Sequence, residues 1–162
     1  MKEHFAAIRH SLTVGNYWAA LFLTLTLPSI CGALESADGC DNRNKYKKWF
    51  ERNVTGLQLT PEDCYKLRCA LLHQGRARPT QGTYSRVLFT FPTANGCTFH
   101  DNVINDALNL DVVLFCETLV AAAEKWLDHV KDSPHFQRNL EKSMRLHPRG
   151  IAPYMIGMPI IG

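Results

Sequence analysis

Arg68 and His73 stand five residues apart in "KLRCALLHQG" (residues 66–75), and of all the side chains in the chain they are the best suited to phosphodiester chemistry. A histidine titrates near neutral pH and can take or give a proton. An arginine stays charged and can grip a phosphate with two donors. On an ideal helix, however, side chains at this spacing point about 140° apart. A helix that loosens at His73, or a second subunit that completes the cleft, is the expected remedy. The plainer reading is a helix-end arginine beside a solvated histidine. Cys69 and His73, four apart, also suit two metal ligands on one helical face, but a zinc site needs Cys64, Cys97 or His100 to join them. No metal or cofactor is expected. The chain has no H-E-x-x-H pattern, phosphate-binding glycine loop or G-x-S-x-G context, so zinc-protease, P-loop and serine-hydrolase chemistry are unsupported.

The elements that must hold this pair are mostly helical. In "TPED", Thr60 suits a cap, Pro61 the first helical position, and Glu62 and Asp63 the positive helix end. This predicts a helix from Pro61 to about His73, with Leu67, Ala70 and Leu71 on its apolar side and Gly75 ending it. Phe5, Ile8 and Leu12 predict an amphipathic helix over residues 3–14. The run from Tyr17 to Ser36 is apolar nearly all round and predicts a central buried helix, bent near Pro28. "KYKKWFERNV" predicts a short helix with Tyr46, Trp49 and Phe50 inward. Its Lys45, Lys47, Lys48 and Arg52 form the densest basic patch, which is either a solvated face or a surface for a nucleic-acid backbone.

Beyond Gly75 the pattern changes. "YSRVLFTF" and "CTFH" read as two β-prone runs joined across "PTANG", with turn chemistry at Asn95-Gly96. A ribbon of that size must pack on the helical body. "LNLDVVLFCETLVAAAEKWLDHV" predicts the last long helix, followed by a short one around Pro134 to Met144. The tail "HPRGIAPYMIGMPIIG" is too apolar to be solvated comfortably and is expected to lie against the body or a partner subunit. The expected fold class is therefore all-α, an antiparallel helical bundle with a small β-hairpin or extended insertion near residues 84–100. One domain should span residues 1–162.

Composition bounds the function. The 162 residues carry 18 Lys and Arg against 15 Asp and Glu, a formal +3, which permits a nucleic-acid partner without indicating one. Cys31, Cys64, Cys69 and Cys116 lie in apolar helical patterns, where a free cysteine behaves as a small buried hydrophobe. That usage favours a reducing, cytoplasmic compartment. "NYWAALFLTLTLPSICGAL" would pass for a membrane span or signal peptide by hydropathy. Asn16, Thr24, Thr26, Pro28 and Ser29 dilute it, and the amphipathic stretch ahead is unlike a signal n-region. A core helix is the expectation, with no membrane partner.

R-x4-H at the end of a capped apolar helix, followed by glycine and then by another long helix, resembles the HEPN superfamily, small helical domains with an R-x4–6-H motif at a helix end. The resemblance implies a homodimer and metal-independent RNA cleavage or RNA or nucleotide binding, of toxin or phage-defence type. It also implies a possible antitoxin or regulatory protein. In those terms His73 is the general acid/base, Arg68 holds the scissile phosphate, and Cys69, Lys45, Lys47 and Lys48 are candidate substrate-binding residues. Cys69 departs from the family pattern, where the residue after the arginine is commonly polar. The alternative reading is a noncatalytic helical interaction or scaffold module.

Overall fold

The computed structural model describes residues 1–76, 82–93 and 96–162. Its helices are α1 (Lys2–Thr13), α2 (Tyr17–Glu35), α3 (Arg43–Asn53), α4 (Pro61–Gln74), α5 (Val112–Val130) and α6 (Pro134–Leu140). Its strands are β1 (Arg86–Thr90), β2 (Asn102–Ile104), β3 (Ala107–Asp111), β4 (Leu146–His147), β5 (Gly150–Ile151), β6 (Met155–Ile156) and β7 (Ile160–Ile161).

α2 is the axis of the fold. Asn16 caps its start by accepting from the Ala19 amide, and Leu21, Leu25, Leu27, Cys31 and Leu34 are buried along it. It packs against α1, α3, α4, α5 and α6. α2 is long and apolar enough to cross a membrane by length and composition, yet 56% of its most apolar window is buried within the fold. Trp49 of α3, Trp126 of α5 and Phe136 of α6 meet edge to face at 5.8–6.1 Å between centroids, which locks α6 onto the body.

The all-α expectation does not hold. Among the described residues the protein is mixed, 53% helical with 14% strand in three small sheets. β1 runs parallel to β3, and β2 runs antiparallel to it, giving the order β1-β3-β2. Every residue of β3 is buried, and Phe89 of β1 meets Phe115 of α5 at 5.2 Å. The expected hairpin over 84–100 is thus replaced: "CTFH" is not a strand, and β1 finds its partner seventeen residues past its end instead. The hairpin that does form joins β2 to β3 through Asn105 and Asp106, both at positive φ (49° and 62°). That is the twist a tight two-residue turn requires. The turn proposed at Asn95-Gly96 falls partly outside the described residues. The last long helix, α5, begins at Val112 rather than Leu108 because Asp111 caps it, accepting from the Val113 and Leu114 amides at 2.9 Å.

Candidate functional site

α4 is built as the sequence predicts. The Thr60 hydroxyl accepts from the Asp63 amide at 3.1 Å, and Asp63 in turn accepts from the Thr83 amide at 2.9 Å, tying the helix start to the chain before β1. At the far end Gly75 adopts the left-handed conformation, φ 61°, and its amide returns to the helix carbonyls. Beneath α4 the buried Tyr46 hydroxyl bonds both the Leu25 carbonyl (3.2 Å) and the Cys64 thiol (3.3 Å), joining α2, α3 and α4. Burial pushes the Cys64 thiol up to about 12 and the Tyr46 phenol well above its ordinary value, so both stay protonated as structural groups.

Arg68 and His73 meet within one chain. Arg68 Nη1 donates to His73 Nε2 at 3.0 Å, and Cys69 Sγ lies 3.9 Å from the same nitrogen. An arginine only donates, so Nε2 is the acceptor in this bond. The helix neither loosens before His73 nor needs a second subunit to bring the pair together. Five residues rise only about 7.5 Å, and the long arginine stem runs along the helix to span it. His73 is exposed, whereas Arg68 is half-buried with its Nε buried and unpartnered. The guanidinium thus keeps a buried donor unspent at its base, and its tip faces an accessible imidazole.

Three residues overlooked in the sequence complete this surroundings. Asp41, in the loop between α2 and α3, has its carboxyl raised above the ordinary value by burial. The Ser29 hydroxyl, the Asn42 amide, Arg68 and Lys45 pull the other way. Ser29 sits on α2 directly after Pro28, nine-tenths buried. It lies near enough to influence the Asp41 carboxyl, although its hydroxyl makes no well-formed hydrogen bond. Tyr65, one turn before Arg68, has its phenol raised by burial and by the neighbouring Cys69 thiol. A signal for Ser29 did exist: a serine inside an otherwise apolar buried helix needs a polar neighbour. Asp41 reads as an ordinary turn former and gives none.

The basic patch is largely spent within the fold. Lys45 bonds Asp38 at 2.5 Å and the Cys40 carbonyl at 2.6 Å. Lys47 bonds Glu62 at 3.0 Å, where Arg43 also pairs, at the opposite end of α4 from His73. Lys47 with Arg43 holds the Glu62 carboxyl down at about 2. Lys48 is exposed and makes no ion pair among the described residues. Among the described residues no three His, Cys, Asp or Glu side chains gather as metal ligands. Cys64 faces Tyr46, and His100 Nδ1 accepts from the Asp111 amide at 3.2 Å.

No family model matches the chain, and no curated protein or solved structure matches it either.

Proposed function

We propose that the protein cleaves single-stranded RNA without a metal, at Arg68 and His73. The observation that carries this reading is the 3.0 Å contact between a half-buried guanidinium and an exposed imidazole at one helix end. With RNA present, a phosphate draws the guanidinium off Nε2 and accepts its donors. The freed Nε2 lone pair then takes the proton of the ribose 2′-hydroxyl. The 2′-oxygen attacks phosphorus, the bond from phosphorus to the 5′-oxygen breaks, and the imidazolium or water returns a proton to that leaving oxygen. The products are a 2′,3′-cyclic phosphate and a 5′-hydroxyl. Arg68 stabilises the extra negative charge at phosphorus as it develops.

The resemblance of R-x4-H to HEPN domains supports the same chemistry and adds a homodimer to the proposal, and the buried free cysteines favour a reducing, cytoplasmic compartment for it. Cys69 and Lys48 are the remaining candidates for substrate contact, since Lys45 and Lys47 are held by carboxylates. The test is cleavage of a labelled RNA in EDTA. The wild-type chain should yield 2′,3′-cyclic ends, and His73→Ala should lose at least a hundredfold in rate with an unchanged circular dichroism spectrum. Equal cleavage by His73→Ala, or no cleavage by the wild type, overturns the proposal. A noncatalytic interaction module is the second reading, favoured by the exposed apolar side chains beyond Leu140.

A further inference from the structure

The segment after α6 is chemically unlike the rest of the chain. Three of the 18 Lys and Arg residues and none of the 15 Asp and Glu residues lie in 142–162, so the +3 formal charge belongs entirely to this segment. Among the described residues, Lys142, Arg145 and Arg149 make no ion pair, in contrast to Lys45, Lys47, Arg43 and Arg52.

The segment is also shaped. β4 pairs with β7, and β5 pairs with β6 in a small hairpin whose turn carries Tyr154. Gly150 brings these last strands so close that a Cβ there would lie 2.0 Å from the Met155 carbonyl oxygen. The backbone of Arg145 and Gly162 closes the outer pair with bonds of 2.9 and 3.1 Å. On this frame the apolar side chains face water: Tyr154 is 85% exposed, Met144 78%, Ile156 73% and Ile161 68%. Single exposed apolar residues are ordinary, but a cluster of this size on one short segment marks an interaction surface. Between the segment and the α1 and α2 helices lies a cleft of about 660 Å³. Ile30, Leu34, Met144 and Leu146 give it apolar walls, and Lys142 and Arg145 border it.

We infer that residues 142–162 dock the protein on an anionic phospholipid bilayer. Tyr154 and Ile156 enter the interface, Lys142, Arg145 and Arg149 meet the headgroup phosphates, and the cleft receives acyl-chain carbon. Each part matches a known physical preference. Tyrosine sits well at the boundary between headgroup and hydrocarbon. Unpaired basic residues next to an apolar surface are drawn to acidic lipid. The segment itself has no Asp or Glu side chain to repel such a surface, and Glu3 of α1 is the one carboxylate side chain lining the cleft. Docking of this kind is peripheral and leaves α2 in the core.

Flotation of the full chain with vesicles tests this directly. The wild type should float with phosphatidylcholine vesicles containing phosphatidylserine and not with phosphatidylcholine alone. Binding should fall in about 1 M NaCl, where the screening length is about 3 Å. Replacing Lys142, Arg145 and Arg149 together by glutamine should weaken partition about a hundredfold. Tyr154→Ser with Ile156→Ser should weaken it more than tenfold, and both side chains are exposed, so circular dichroism should be unchanged. No flotation with the acidic vesicles, or equal flotation with neutral ones, overturns the inference. So does a wild-type dimer that fails to float and that the Tyr154→Ser, Ile156→Ser variant dissociates, because the surface then belongs to a second copy of the chain.

Discussion

Asn139→Ala should be among the most damaging single changes in the polar interior. Asn139 is 6% exposed on α6, and its side-chain nitrogen donates to the Ser36, Leu34 and Ala33 carbonyls at 2.8, 3.0 and 3.3 Å. These carbonyls end α2, where a helix leaves its last acceptors without partners. The amide has two protons, so the two shorter bonds are full and the third is shared. Alanine strands both acceptors in a place that water does not reach easily. At about 1–3 kcal/mol for each stranded group, and with the Ser36 carbonyl only part-buried, the loss should be about 2–4 kcal/mol. For a chain of this length that lowers the melting temperature by roughly 5–15 °C. Asn139→Asp keeps the shape but aims carboxylate oxygen at three carbonyl oxygens, and should be at least as harmful. Urea unfolding followed by circular dichroism, with the slope unchanged, measures both variants. A loss under about 1 kcal/mol for alanine, or an aspartate variant as stable as the wild type, would show that these contacts do not hold α6 to α2.

The other expectations concern charge and the candidate site. Arg68→Lys keeps the charge but lacks the second donor arm, and should lower RNA cleavage by about 10²–10³-fold while leaving the melting temperature within a few degrees. Glu62 has its carboxyl held down at about 2 in the fold by Lys47 and Arg43. A depressed acid stabilises the fold above its unfolded value and loses that contribution as pH falls through its folded one. Glu62→Gln should therefore be less stable than the wild type at neutral pH, with the difference closing between about pH 4.5 and pH 2 in acid titrations. Arg9 bonds Glu124 at 2.5 and 3.0 Å and Glu117 at 3.2 Å, clamping α1 to α5, but its side chain is 42% exposed. Arg9→Ala should cost no more than about 1 kcal/mol, and salt should erase most of that.

The sequence discloses helices well here and sheet partners poorly, for identifiable reasons. α4 was legible at both ends because Thr60, Pro61 and Gly75 each have one strong backbone preference. β3 was hidden although "LNLD" alternates apolar and polar residues, because so short a run joins the apolar helix behind it without a break. Two local signals pointed the other way: Asp111 is a cap, and Asn105-Asp106 is a tight-turn pair. The pairing of β1 with β3 has no such local mark, since a parallel partner is chosen by the core and not by an intervening turn. The candidate site shows the same division. The spacing of Arg68 and His73 was visible, and the roughly 140° between them is only the angle at which the two side chains leave the helix. An arginine carries its charge several bonds from the backbone, and that length lets Nη1 reach Nε2 inside one protomer. Ser29 and Asp41 come to this place only through the packing of α2 on α4 and the path of the loop after α2. What the sequence supplies is therefore the chemistry of the pair, and what it cannot supply is the arginine's surroundings, where Nε is buried without a partner and the charge acts on the Asp41 carboxyl. The half-buried guanidinium there keeps an unspent donor and holds its tip beside an exposed imidazole, so a phosphate that enters replaces the contact to His73 to gain the arginine's donors.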